Sequence, residues 1–230
     1  MKPTHFTLFF LTLLLISCSD KNNSSEFMEQ VTGKYLYNLD ETVEVYFEEN
    51  KLLMKWRGKD KIAPMDLGDE TFFIKEMNEK IQFLINPTDR IQYISLIPKE
   101  KTDAITYDFR KLEVGEDVPS SYLKNKEYDK ALEGYLTIKE SDSTNTYISE
   151  TNFNSLGYRE LRAKNYADAI EIFKINTALY PNSDNVYDSL AEAYFRKGDT
   201  ISAVENYKNA IAIDSGNRRA KDFVKKYQKK

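Results

Sequence analysis

The chain has little of the chemistry that catalytic sites draw on. It holds one histidine, His5, and one cysteine, Cys18, in 230 residues. Both precede the segments whose patterning reads as folded. A folded region with neither imidazole nor free thiol runs no Ser-His-Asp or Cys-His chemistry and builds no zinc or redox-metal site of the usual kinds. No metal and no cofactor is expected, and the protein is expected not to be an enzyme. Excess positive charge is also missing: 33 Lys and Arg against 37 Asp and Glu give a net charge of −4, so no nucleic-acid partner is expected. The main apolar run, Phe6 to Ile16, is too short to span a bilayer.

That run follows Lys2 and leads into small residues, which is the layout of an export signal. Its end, Leu15-Ile16-Ser17-Cys18, resembles the lipobox of bacterial lipoproteins. The resemblance implies cleavage just before Cys18 and a diacylglyceryl group on its thiol, with acyl chains such as palmitate holding the protein to a membrane. Each buried methylene contributes about 0.8 kcal/mol, so two or three chains would make that anchoring nearly permanent. The expected location is the bacterial cell envelope, on the periplasmic side of the outer membrane. Residues 1–17 are then the signal peptide, and polar residues 18–26, without periodicity, a flexible tether.

From Val31 to about Phe109 the pattern has period two. Val43, Val45 and Phe47 alternate with Glu44, Tyr46 and Glu48. Leu52, Met54 and Trp56, then Ile81, Phe83 and Ile85, then Ile105, Tyr107 and Phe109 repeat the pattern. Turn signals at Glu49-Asn50, Gly58 to Asp60, Gly68-Asp69, Asn78-Glu79 and Asn86 to Asp89 divide the stretch into about eight strands. An antiparallel meander of this size buries its apolar face by curling. Val31-Thr-Gly33-Lys-Tyr35, the strand spacing and Thr71-Phe72-Phe73 are similar to the accessory all-β domain of class C β-lactamase-like serine hydrolases. That resemblance implies a lipocalin-like barrel over residues 27–118, without the catalytic domain.

After Pro119 the period becomes helical. Phe153, Leu156, Gly157, Tyr166, Ala169, Phe173 and Pro181 fall at the spacing of the tetratricopeptide repeat. Tyr187, Leu190, Ala191, Tyr194, Ala203, Tyr207 and Ala210 form a second copy. The resemblance implies a helical solenoid over residues 119–230. A degenerate copy, carrying Tyr128, Ala131, Tyr135 and Ile138, should cap one end, and Arg219 to Gln228 the other. The fold class is thus α+β in two domains, a β-barrel-like domain followed by the solenoid. Lys111 to Ser121 would be the hinge.

Ser121-Tyr-Leu-Lys124 and Ser183-Asp-Asn185 mimic two serine β-lactamase motifs. No K-T-G follows, and Ser183 sits where a residue caps the next helix. Two functions remain. The first is a membrane-anchored module that holds an unknown protein or peptide in the repeat groove. On the family's inner helices that groove is lined by Asn154, Tyr158, Arg162, Asp188, Glu192 and Arg196, whose mixed charge implies a basic or polar ligand. The second is a carrier or sensor of a small apolar ligand, with Tyr46, Trp56, Phe73, Phe83 and Tyr93 around a cavity in the β-domain. The terminal cations Arg218, Arg219, Lys221, Lys225, Lys226, Lys229 and Lys230 face only Asp222. They read as a solvated helix or as a contact for anionic lipid headgroups or phosphate.

Overall fold

The computed structural model describes residues 24–100, 103–141 and 148–228. Cys18, the expected signal 1–17 and most of the expected tether lie outside them. The described residues form two compact units. One comprises the residues up to Lys34 with Glu44–Arg110, the other Tyr35–Val43 with the residues from Lys111 onward.

A short helix, α1 (Ser25–Val31), opens the described chain. Nine strands follow: β1 (Gly33–Asn38), β2 (Glu41–Glu48), β3 (Lys51–Trp56), β4 (Lys59–Ile62), β5 (Met65–Gly68), β6 (Thr71–Ile74), β7 (Glu79–Ile85), β8 (Gln92–Leu96) and β9 (Phe109–Lys111). The alternation of Val43, Val45, Met54, Ile81 and Ile94 puts them all on one buried face. Several connections are two-residue turns with both central residues at positive φ: Glu49-Asn50 (50° and 62°), Arg57-Gly58 (50° and 76°) and Asp69-Glu70 (49° and 59°). Such turns match the right-handed twist of the strands they join.

The sheet order is β4-β3-β2-β1-β9-β8-β7-β6-β5. Its two edge strands, β4 and β5, are consecutive in sequence, separated by Ala63 and Pro64 alone. Strands lie about 4.8 Å apart, so two residues cannot bridge the width of a flat sheet with nine strands. The sheet is therefore a curled antiparallel half-barrel, open at the β4/β5 seam. Pro64 at that seam has no backbone N–H to offer.

The concave face is filled by side chains. Phe27 of α1 sits 5.8 Å from Phe83, 6.2 Å from Phe72 and 6.4 Å from Phe47, measured between ring centroids. Ser24 caps this helix, its hydroxyl accepting from the Phe27 N–H at 3.1 Å. Ser25 and Glu26, expected in the tether, thus form the helix's first turn, because a capping serine and a buried aromatic order them. The expected strand through Ile105 also shortens. The Leu96 N–H donates to the Asp108 carboxylate at 2.7 Å, so a side chain takes the bond a ladder carbonyl would accept. Pairing to β8 is confined to Phe109 and Arg110.

The second unit is built from α2 (Pro119–Lys124), α3 (Tyr128–Ser141), α4 (Glu150–Arg162), α5 (Tyr166–Leu179), α6 (Asp184–Lys197), α7 (Thr200–Ile213) and α8 (Arg218–Tyr227). These are the expected tetratricopeptide-like helix pairs, with α2 cut short at Pro119. Each pair turns at a left-handed residue: Lys126 at φ 63°, Lys164 at 64° and Gly198 at 98°. Ala169, Ala191, Ala203 and Ala210 are fully buried and let the helices approach closely. At Gly157 an added Cβ would lie 2.5 Å from the Phe173 ring, so α4 and α5 pack as they do only because no side chain is there. Tyr135 meets Phe153 at 5.0 Å and Tyr158 meets Phe173 at 5.3 Å, both edge-on.

The start of α2 is finished by a residue far away in sequence. Val118, at the N-cap, has no side-chain acceptor. Asp40, at the tip of the β1–β2 hairpin, supplies one: its carboxylate accepts from the Ser120 N–H at 2.6 Å, and its carbonyl accepts from the Ser120 hydroxyl at 3.1 Å. The Tyr135 hydroxyl donates to the same carboxylate.

Candidate functional site: a charged network on the repeat helices

Helices α4 and α6 are the first helices of successive repeats, and a period of 34 residues pairs Tyr158 with Glu192, whose side chains bond at 3.1 Å. On α6, Asp188 and Glu192 lie one turn apart on one face. Arg196, a further turn along, donates to Glu192 at 2.5 Å. The fifth member comes from α8: Arg219 spans Asp188 at 3.0 Å and Glu192 at 2.5 Å. Its guanidinium also lies over the Tyr207 ring, 5.9 Å from the centroid. Asn217, which caps α8, donates to Asp184 at 3.2 Å and to Asp188 at 3.4 Å.

Burial sorts the charges. The Asp188 and Glu192 side chains are 12% and 14% exposed, whereas those of Arg196 and Arg219 are 49% and 52% exposed. The carboxylates form a floor and the guanidiniums a rim. Burial opposes the charge of Glu192, but the bonds and charge of Arg219 and the bond from Arg196 hold its carboxyl below the ordinary range. For Asp188 burial wins over Arg219 and Asn217, and its carboxyl is pushed up. The same neighbours push the Arg219 guanidinium further up against its own desolvation.

Four of the six expected groove residues, Tyr158, Asp188, Glu192 and Arg196, meet in this network. Arg162 is exposed at the end of α4, outside it. Asn154 also stands apart, its Oδ1 buried without a hydrogen-bond partner. Arg219 was not among the expected groove residues, although extending the repeat period from Asn185 by 34 residues lands on it.

The five aromatic residues expected around a β-domain cavity divide between two faces of the sheet. Trp56 and Phe83 are on the buried face, where Phe83 packs on Phe27 and Phe72. Tyr46 pairs across from Leu53, Phe73 from Lys80 and Tyr93 from Leu84, which places all three on the opposite face. Among the catalytic look-alikes, Ser121 and Lys124 belong to α2, and Ser183 is the N-cap of α6 but forms no side-chain cap bond. Among the described residues no three His, Cys, Asp or Glu side chains gather as a metal site, and no helix is long and apolar enough to cross a membrane.

No protein-family model matches the chain. Similar curated proteins include Heat shock protein STI1 of Saccharomyces cerevisiae, 34% identical over 99 residues, 42% of this chain and 16% of that protein. RNA polymerase II-associated protein 3 of Xenopus tropicalis is 27% identical over 127 residues, 55% of this chain and 19% of that protein. Superkiller protein 3 of Schizosaccharomyces pombe is 26% identical over 129 residues, 55% of this chain and 9% of that protein. The chain thus spans less than a fifth of each of these relatives. Among solved structures, the first TPR of Spaghetti (RPAP3) bound to the HSP90 peptide SRMEEVD is 20% identical, with a TM-score of 0.34 over 48% of this chain and 85% of that one. MamA is 18% identical, with a TM-score of 0.33 over 47% of this chain and 81% of that one. The helical region is tetratricopeptide-like, on its repeat spacing, its helix pairs and these sequence relatives.

Proposed function

We propose that the protein is a membrane-anchored, non-catalytic interaction module whose repeat helices hold an acidic peptide segment of a partner protein. The observation that carries this reading is the burial order of the charged network. Arg196 and Arg219 are half exposed above carboxylates that fix their orientation, and Arg162 is exposed nearby in the repeat pattern. A partner approaching this face meets guanidinium groups first, and guanidinium forks bind carboxylates in a bidentate manner. The mixed charge of the sequence suggested a basic or polar ligand; exposure turns that preference to an acidic one. The HSP90 peptide bound by the RPAP3 repeat domain is itself acidic, which is in keeping with this reading. Anchoring rests on the lipobox resemblance at Cys18.

The test is a fluorescence anisotropy titration of acidic, neutral and basic seven-residue peptides against the full chain and an Arg162→Gln/Arg196→Gln variant. A preference for acidic peptides that falls about tenfold or more in the variant is expected, since charged hydrogen bonds contribute roughly 1.5–3 kcal/mol each. Equal binding of all three classes, or a preference for basic peptides, would refute the groove reading. Fractionating cells that express the same chain with Cys18→Ala checks the anchor: the protein should move from membranes to the soluble fraction.

A further inference from the structure

Helix α8 divides its residues cleanly by face. Ala220, Phe223, Val224 and Tyr227 make its apolar side, which is packed: Ala220 is fully buried, and Phe223 lies 4.5 Å from Tyr207 and 4.9 Å from Phe195. Arg219, on the flank, is tied to Asp188 and Glu192. Folding therefore uses one of the helix's cations and all of its large apolar side chains. On the opposite side Arg218, Lys221 and Lys225 recur at the spacing of one helix face. All three are exposed and, among the described residues, in no ion pair, with Lys226 beside them and Asp222 the one acid on α8.

The charge is concentrated. Residues 218–230 carry seven Lys and Arg and one Asp, a local +6 in a chain of net −4, which leaves the preceding 217 residues at −10. A chain so divided is oriented by an anionic surface, because the basic end is drawn in while the acidic remainder is repelled. We infer that the exposed face of α8 is an electrostatic docking surface for an anionic phospholipid bilayer. The contact is peripheral, since the apolar side of the helix is already packed, partly buried, against α6 and α7.

Nucleic acid is the competing polyanion, and the structure disfavours it. Binding to single strands draws on aromatic rings free to stack on bases, and Phe223 and Tyr227 are already in ring contact with Phe195 and with each other. This inference depends neither on Cys18 nor on the peptide groove, because Arg218, Lys221 and Lys225, on which it rests, are assigned to neither.

The experiment is vesicle co-sedimentation of the full chain with phosphatidylcholine vesicles and with vesicles carrying about one-third phosphatidylglycerol. Three proteins are compared: wild type, Arg218→Gln/Lys221→Gln/Lys225→Gln, and Lys124→Gln/Lys164→Gln/Lys197→Gln, which has the same net charge change elsewhere on the helices. Comparing the two vesicle types cancels any contribution from the apolar N-terminal stretch or a lipid anchor. Tighter binding to the anionic vesicles is expected, abolished by 0.5 M salt. About fivefold should be lost per cation removed from α8, on the order of 100-fold for the triple variant, with little change in the control variant. Equal binding to both vesicles would overturn the inference. So would an equal loss in the two variants, or binding to a 20-mer oligonucleotide with indifference to the vesicles.

Discussion

The sheet unit and the helical unit solve the burial problem in opposite ways. The curled sheet is built from local hairpins, yet its aromatic cluster is completed by a ring from outside the meander, Phe27 of α1. Among its described residues the helical unit has no such plug. Each helix pair buries its neighbour's face, small residues such as Gly157 and Ala169 set the approach, and the same contacts recur 34 residues later. A single large deletion should therefore hurt the sheet more, and a single small insertion should hurt the helices more. In the sheet the interior is a volume to be filled; in the helices it is a distance to be kept.

The largest effect expected from breaking this contrast is at Phe27. Its ring touches Phe47, Phe72 and Phe83 at once, so Phe27→Ala opens a cavity among aromatic rings that cannot collapse together. The cost should be about 3–5 kcal/mol. Trp56, the single tryptophan and a buried residue of the sheet, reports it: the denaturation midpoint by tryptophan fluorescence should fall sharply. A fall of less than about 1 kcal/mol would mean that the rings repack without their plug.

Gly157→Ala probes the other half of the contrast. The added methyl would sit 2.5 Å from the Phe173 ring, which is fully buried and cannot swing away. Overpacking of this kind costs about 1–3 kcal/mol, against the gain of under 1 kcal/mol that replacing glycine brings to an open helix position. Helical circular dichroism should show a lower melting temperature for this variant. An unchanged or raised melting temperature would show that α4 and α5 can separate slightly without loss, and the distance argument would fail.

What was legible in the sequence follows the same division. The helix pairs could be read because the repeat spells out their period twice, and Tyr158, Asp188, Glu192 and Arg196 came with it. Arg219 did not, because α8 departs from the aromatic signature of the repeat and its cations read as a solvated helix. Strand alternation and turn residues gave the meander, but β9 was overextended, since only the fold reveals that Asp108 takes the Leu96 N–H. The α1 plug lay in a stretch too short to show periodicity. Asp40 and Ser120, which bond across 80 positions, left no sequence signal at all.

That bond is where the smallest effect is expected, and its sign separates it from Glu192 of the groove network. Asp40 acts as the N-cap that Val118 cannot be, so Asp40→Ala should cost about 1 kcal/mol. Its pH dependence runs against habit. Burial pushes the Asp40 carboxyl above its ordinary value, more than the bonds from Ser120 and Tyr135 pull it down. The folded state then binds a proton more readily than the unfolded chain, and this residue makes the protein more stable as the pH falls through its folded-state pKa toward 3.8. Glu192, held below the ordinary value, contributes stability that is present above that value and lost on further acidification. Melting temperatures of wild type and Asp40→Asn between pH 7 and pH 3 measure the difference: wild type should gain on the variant as acid is added. If it loses ground over the whole range, the Ser120 and Tyr135 bonds outweigh burial, and Asp40 belongs with Glu192 among the charge-stabilised carboxylates.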